Sequence, residues 1–462
     1  MTRVLELLHW NDLHGRYDAL ARLSARAREI RAEADHPVLL LDGGDVEETS
    51  VRLSALTRGV AGWRMLGAAG VDAAVAGNGG LLRYGPGLLP AYAEALGSPP
   101  VLCDVEVAGA TPAGAVPSRL LEAGDLRVGV VGTTDYYPQY DAFGMVERGR
   151  VTAVRREAAA LRRQGADVVV VLSHAGINHD RGLSWSVRDL VDVVVGGHTH
   201  DLLPEGDLDQ GVPIAQAGWR GEHLGRVRLE VDQDGVRVVD VRLEAVGEDA
   251  PPDPVVLAQR DACERDLEAW LAEPVGRLER AAPAGDPHNR AAQLLLEALL
   301  AHAPADLGVL VPMHVTAGLP AGVVTRGHVW EATSSPGNLA TATLTGEEVR
   351  MMLERGRSEE FRSHRSRATR GRPFGALQVI GAEVGEGGAV CVGGRPLEDR
   401  ATYRVTASDL ELSSYGRLVE TEPEDLRVHV PAILPELLES YLSAASSGTP
   451  RAAGPGGSPS RR

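Results

Sequence analysis

The chain has 462 residues, enough for two or three domains with a sizeable core. Arginine carries all 47 basic charges against 64 acidic ones, and the net charge of −17 excludes a general binder of nucleic acid or anionic membrane, which needs a basic face. Aromatic residues make up only 4%, too few for broad base-stacking platforms, and the 44% hydrophobic fraction is that of a globular chain.

Residues 1–15 (MTRVLELLHWNDLHG) read as a strand running into a polar loop, without the long apolar core and small-residue cleavage site of a signal peptide. No run reaches 18 apolar residues. Cys103, Cys263 and Cys391 stand singly, which argues against a disulfide framework or a thiolate zinc site. These features imply a cytoplasmic protein with no membrane and no nucleic-acid partner.

Up to about residue 245, short aliphatic runs alternate with amphipathic stretches. Val4–Leu8, Val38–Leu41, Val71–Val75, Val128–Val131, Val168–Leu172 and Val191–Val195 read as buried strands. Leu20, Leu23, Ala27 and Ile30 recur at helical spacing in 17–33, as do Val151, Val154, Ala158 and Leu161 in 151–164. Residues 212–245 alternate with a period of two around Asp234-Gly235, a hairpin signal. Strand–helix alternation implies an α/β domain over 1–247. Pro and acid at 247–255 break the pattern, and 248–273 reads as a linker with a helix over 256–272. A second domain is expected over 274–445, with helices at 289–302 and 346–355 and strands at 307–311, 376–382 and 402–407. Residues 446–462 are Gly/Pro/Ser-rich and read as a disordered tail.

The chemistry-bearing residues follow the strands, where open α/β sheets bind ligands. Asn11-Asp12-Leu13-His14 follows the first and Asp42-Gly43-Gly44-Asp45 the second. Gly77-Asn78-Gly79-Gly80, Ser173-His174 and Gly196-Gly197-His198-Thr199-His200 follow later ones. Carboxylate and neutral imidazole suit Mn²⁺, Fe²⁺ and Zn²⁺. Asp-x-His and His-x-His align two donors on one side of an extended segment. A bridged pair of cations can clamp both the attacking and the leaving oxygen of a phosphoryl group.

On these motifs, residues 3–220 resemble a calcineurin-like metallophosphoesterase domain, and 3–440 resemble the two-domain bacterial 5′-nucleotidase family. The resemblance implies a metallophosphoesterase β-sandwich flanked by helices, plus a second α/β domain like the 5′-nucleotidase C-terminal domain. Leu319-Pro-Ala-Gly-Val-Val-Thr325, Pro336-Gly-Asn338, Leu344-Thr-Gly-Glu-Glu348 and Tyr403–Asp409 are similar to landmarks of that second domain. The family pattern places Asp12, His14, Asp45 and His200 around one divalent ion. It places Asn78, His174 and His198 around another, with Asp45 as the bridge. Asp45, Asn78 and His174 then carry catalysis through a metal-bridging hydroxide that attacks phosphorus in line. The implied cofactors are two divalent ions (Mn, Zn, Fe or similar), and the implied partner is a small anionic phosphoester such as a nucleotide.

The sequence also departs from that pattern. The family reads Gly-Asn-His-Glu-x-Asp where this chain has Gly77-Asn78-Gly79-Gly80-Leu81-Leu82, so both the His and the Asp that holds it are replaced. An Arg expected in the second domain is Thr316, and one of two base-stacking aromatics falls at Leu410. The other falls near Pro336–Asn338, where none stands; Trp330 and Tyr415 are alternatives. Arg83, Tyr84, Asn338, Leu410 and Arg372 are candidate substrate contacts, and His179 a candidate acid. The arginines at 355, 357, 362, 365, 367, 370 and 372 form a loop able to grip an anion. Trp10, Trp63 and His9 read as core, and His288-Asn289 as a helix start with Asn as cap. Three functions remain open: a phosphomonoesterase, a metal-binding relative with little catalysis used for sensing or interaction, and a hydrolase of another anionic ester. The sequence leaves the oligomeric state open.

Overall fold

The computed structural model describes residues 2–208, 211–285, 289–365 and 372–447. His288, Arg367, Arg370 and residues 448–462 of the expected tail lie outside the described residues. The chain divides into two compact units after Leu267, and the division falls inside one helix, Pro254–Ala272.

The first unit holds two five-stranded sheets. In one, Arg3–Trp10 runs parallel to Val38–Asp42, which runs parallel to Ala73–Ala74. On its other side Arg3–Trp10 pairs antiparallel with His223–Asp232, which turns through Asp234-Gly235 into Gly235–Ala245. In the second sheet, Leu126–Thr134, Val168–His174, Val193–Gly196 and Ile214–Ala215 are parallel, and Ser118–Ala123 is an antiparallel edge.

Alternation of side chains explains how both faces are buried. Val168, Val170 and Leu172 join Leu5, Leu7, Leu39 and Leu41 in the core between the two sheets. Val169 and Val171 face the other way, onto Leu161 of helix Arg150–Arg163 and Leu183 of helix Ile177–Val187. The result is a β-sandwich with helices outside, and it accounts for strands that read as unbroken aliphatic runs. Trp10, Trp63 and His9 are buried. The run at 71–75 contributes a strand only at Ala73–Ala74.

The second unit has a five-stranded sheet in the order Gln378–Ile380, Leu307–Leu310, Thr402–Ser408, Asn338–Thr345, Arg427–Ile433. Helix Arg290–His302 starts at Asn289, whose side chain accepts from the Ala292 N–H at 2.9 Å. Two places differ from the sequence expectation. Arg355 and Arg357 belong to helix Gly346–Arg357 and Arg362 to helix Glu359–Ser363, so the start of the arginine-rich stretch is helical. Helix Leu434–Ser447 runs two residues into the expected tail.

Candidate metal centre

Parallel strands deliver their C-terminal loops to one edge of each sheet, and loop geometry there is unusual. Among the described residues nine non-glycine residues have positive φ, and five of them are Asp12, His14, Asp45, His198 and His200. A non-glycine residue in the left-handed region costs of order 1–3 kcal/mol, and such strain gathers at functional sites. Glycines complete the approach. A Cβ on Gly77 would lie 2.1 Å from Asp45 Oδ1, and one on Gly44 would lie 2.6 Å from His174 Nδ1.

Asp12 is fully buried, and its two oxygens differ. Oδ2 accepts from Asn11 Nδ2 at 2.7 Å and from the His198 backbone N–H at 2.8 Å. Oδ1 has no hydrogen-bond partner, yet it lies 3.6, 3.3 and 3.9 Å from Nε2 of His14, His200 and His174. His14 Nε2 and His200 Nε2 are 3.1 Å apart. A buried carboxylate oxygen left bare among three imidazole nitrogens is a donor set that fits a divalent cation.

The neighbouring group is similar. His174 Nδ1 donates to the Gly43 carbonyl at 2.7 Å, which leaves Nε2 free as a donor atom. Nε2 lies 3.2 Å from Asn78 Oδ1 and 3.3 Å from Asp45 Oδ2. Asp45 Oδ1 accepts from the Gly79 N–H at 2.7 Å. Asp12, His14 and His200 form one group able to hold an ion, and Asp12, Asp45 and His174 form a second. The residue common to the two is Asp12, whereas the family pattern assigns the bridge to Asp45.

Charge follows this arrangement. Burial pulls the His174 imidazolium down, but the Asp45 and Asp12 carboxylates outweigh it and hold its pKa up to about 10. Burial likewise opposes ionisation of Asp12 and Asp45, and the surrounding histidines still keep both carboxyls below their usual range. The edge thus favours positive charge between these side chains.

His198 stands beside the two groups, its ring 5.2 Å from that of His174. Its Nε2 faces the Tyr137 hydroxyl at 3.2 Å and Asp135 Oδ2 at 3.6 Å. Asp135 Oδ1 also lies 4.0 Å from Nε2 of the exposed His179. The sequence reading missed Asp135 and Tyr137, although they directly follow the strand Leu126–Thr134 and the strand-end rule applied elsewhere would have found them. Trp219, stacked on His200 at 4.7 Å with the Arg220 guanidinium over its ring, gave no sequence signal.

Other expected residues are placed less tellingly. Arg83 lies in helix Asn78–Tyr84, and the Tyr84 hydroxyl donates to the Ala55 carbonyl. In the second unit Asn338 Nδ2 donates to the Ala432 carbonyl at 2.8 Å, Leu410 packs on the core, and Thr316 Oγ1 donates to the Glu331 carbonyl. Arg372 is half-buried. Trp330 lies against Trp270, while Tyr415 is exposed.

Residues 5–202 match the calcineurin-like phosphoesterase family, and residues 274–417 match the 5′-nucleotidase C-terminal domain. The chain belongs to the two-domain 5′-nucleotidase family. Members of this family are hydrolases, and calcineurin-like phosphoesterases use divalent metal ions. The uncharacterized metallophosphoesterase YunD of Bacillus subtilis is 26% identical, with 83% of this chain and 85% of that protein covered. The trifunctional nucleotide phosphoesterase protein YfkN of the same organism is also 26% identical; the match covers 77% of this chain and 28% of YfkN. A putative 5′-nucleotidase from Staphylococcus aureus shares the fold, with a TM-score of 0.54, 17% identity, and 95% and 96% of the two chains covered. No helix among the described residues is long and apolar enough to cross a membrane.

Proposed function

We propose that this chain is a dinuclear metal-dependent hydrolase of small phosphomonoesters, nucleotides among them. The observation that carries the reading is the bare, buried Asp12 Oδ1 facing the Nε2 atoms of His14, His200 and His174. Asp12, His14, Asp45 and His200 would hold one divalent ion, and Asp45, Asn78, His174 and His198 the other, with Asp12 within reach of both groups. Divalent ions bound there supply Lewis-acid activation of water and neutralise phosphoryl charge.

The chain's own residues do the orienting. Asn11 and the His198 N–H fix Asp12, the Gly43 carbonyl fixes the His174 tautomer, and the Gly79 N–H fixes Asp45. Tyr137 and Asp135 restrain the His198 ring. The exposed His179 is the proposed proton source for the leaving group. Arg83, Asn338, Leu410 and Arg372 are the proposed substrate contacts.

One observation favours a second reading, a metal-binding relative with little turnover. At Gly79 and Leu82 no side chain can donate a proton, and loss of such a group costs about 10²–10⁴ in rate. Purified protein loaded with Mn²⁺ and offered p-nitrophenyl phosphate, bis-p-nitrophenyl phosphate and a nucleotide panel decides between the two. Turnover well above that of Asp45→Ala supports the enzyme. Two bound ions with turnover equal to Asp45→Ala supports the second reading.

A further inference from the structure

The second unit contains a cavity of about 490 Å³, within the range of small-molecule sites. Its walls come from the end of helix Gly346–Arg357, helix Glu359–Ser363 and the turn Ser414–Gly416. Arg355, Arg417, His364 and Ser414 contribute donors, Phe361 contributes an apolar wall, and two carboxylates, Glu360 and Glu420, also line it, Glu420 paired with Arg355. We propose that this cavity is an oxyanion site that takes a phosphate group, either inorganic phosphate or the phosphate of a small ester.

Arg417 is the first argument. It sits at φ +58°, just after the Ser414–Gly416 turn, where glycine or asparagine is the usual residue. A long cationic side chain on such a backbone is a strained choice that packing alone does not explain. Its guanidinium makes no ion pair among the described residues. Among the described residues its side-chain partner is His364, with Nη1 2.9 Å from Nδ1. Because Nδ1 accepts there, the neutral imidazole carries its proton on Nε2 and has one donor left. A guanidinium and an imidazole N–H in one cavity are donors suited to the several oxygens of a phosphate.

Arg355 is the second argument. It is tied to the Arg417 carbonyl at 3.2 Å and to Glu420 at 3.2 Å. The Glu420 side chain is 68% exposed, so the pair is a weak surface one that a bound dianion can replace. The Ser414 hydroxyl adds a further donor with no side-chain partner among the described residues. Arg355 Nη1 thus reaches the backbone of Arg417, 62 residues away in sequence, and both side chains line the one cavity. The arginine-rich stretch noted in the sequence meets the fold here, at Arg355.

The test is isothermal titration of the full chain carrying Asp45→Ala, which weakens the metal edge and leaves the cavity untouched. Inorganic phosphate and phenyl phosphate are the two probes. Saturable binding of either is expected. Adding Arg417→Asn, which keeps a residue tolerant of the left-handed backbone, should weaken it at least about tenfold, as loss of a charge-assisted hydrogen bond does. Arg355→Gln, on a helix that tolerates Gln, should weaken it similarly. Tighter binding of phenyl phosphate assigns the site to esters, and equal binding assigns it to free phosphate. Absence of saturable binding, or binding that neither substitution alters, overturns the proposal.

Discussion

The loops Asp12–His14 and His198–His200 and the segment Gly77–Leu82 all follow strands of the first unit, yet they are built to different standards. Asp12, His14, His198 and His200 take left-handed backbones, and Asp12 is pinned through Oδ2 from two sides. Gly77–Leu82 keeps one donor atom, Asn78 Oδ1 at 3.2 Å from His174, and otherwise presents backbone and aliphatic groups. Even there, Gly79 contributes: its N–H holds Asp45. The contrast separates two tasks. Every group that would hold cations is present, and five of the seven stand on left-handed backbones, while the side chains that would move a proton at Gly79 and Leu82 are gone.

The largest effect that probes this contrast is expected at Asp12. Asp12→Ala removes the residue common to both ion-holding groups. Stabilisation by bound ions is worth several kcal/mol in the transition state, so kcat/KM for p-nitrophenyl phosphate should fall by at least about 10³-fold. Elemental analysis should show bound metal lost with it. Unchanged kinetics would break the first half of the comparison.

A smaller effect is expected at the groups behind the ligands. Tyr137→Phe removes the hydroxyl 3.2 Å from His198 Nε2. Metal affinity, read by competition with a chelator, should fall about 10–100-fold, the usual result of losing an outer partner. The second half of the comparison is sharpened by Gly79→His combined with Leu82→Asp. A Cβ at Gly79 would meet Asp45 Oδ1 at 3.1 Å, so a slight shift is required. A general acid contributes about 10²–10⁴; after that adjustment, kcat on a nucleotide should rise about tenfold.

A pH effect comes next. Burial raises the Asp180 carboxyl to about 7, although the Ser173 hydroxyl and the more distant charges of Arg150 and His174 work against it. Its Oδ2 has no hydrogen-bond partner. The folded state therefore binds this proton more tightly than the unfolded chain. The stability this gives is complete below about pH 4 and is lost as pH rises through about 7. Asp180→Asn should flatten that fall, read as Tm against pH between about 4 and 8; an unchanged slope would contradict it. The smallest effect belongs to the second unit, where Asn289→Ala removes a helix cap at a cost of about 1 kcal/mol in denaturant unfolding.

Much of this was legible in the sequence because burial on two faces writes itself as aliphatic runs. Val168–Leu172 reads as a strand for that reason, and its alternate residues divide between the sandwich core and the helix layer. The ligand-bearing loops were legible because each follows such a run. Asp135 and Tyr137 were missed although Val128–Val131 was recognised, since the strand runs on to Thr134 and the loop after it carries no repeated histidine. The common position of Asp12 could not be read, because it depends on which carboxylate oxygen the Asn11 amide and the His198 N–H occupy. The Arg355–Arg417 cavity was equally hidden: sequence proximity grouped Arg355 with its neighbours, whereas the fold joins it to a turn far along the chain.

The central claim is that the strand-end edge of the first unit holds two divalent ions around Asp12. Titration of the metal-stripped full chain with Mn²⁺ tests it most directly. Two ions per chain in wild type, with both sites lost or severely weakened in Asp12→Ala, is the predicted result. Binding of no ion, or binding of two ions that Asp12→Ala leaves intact, would contradict it.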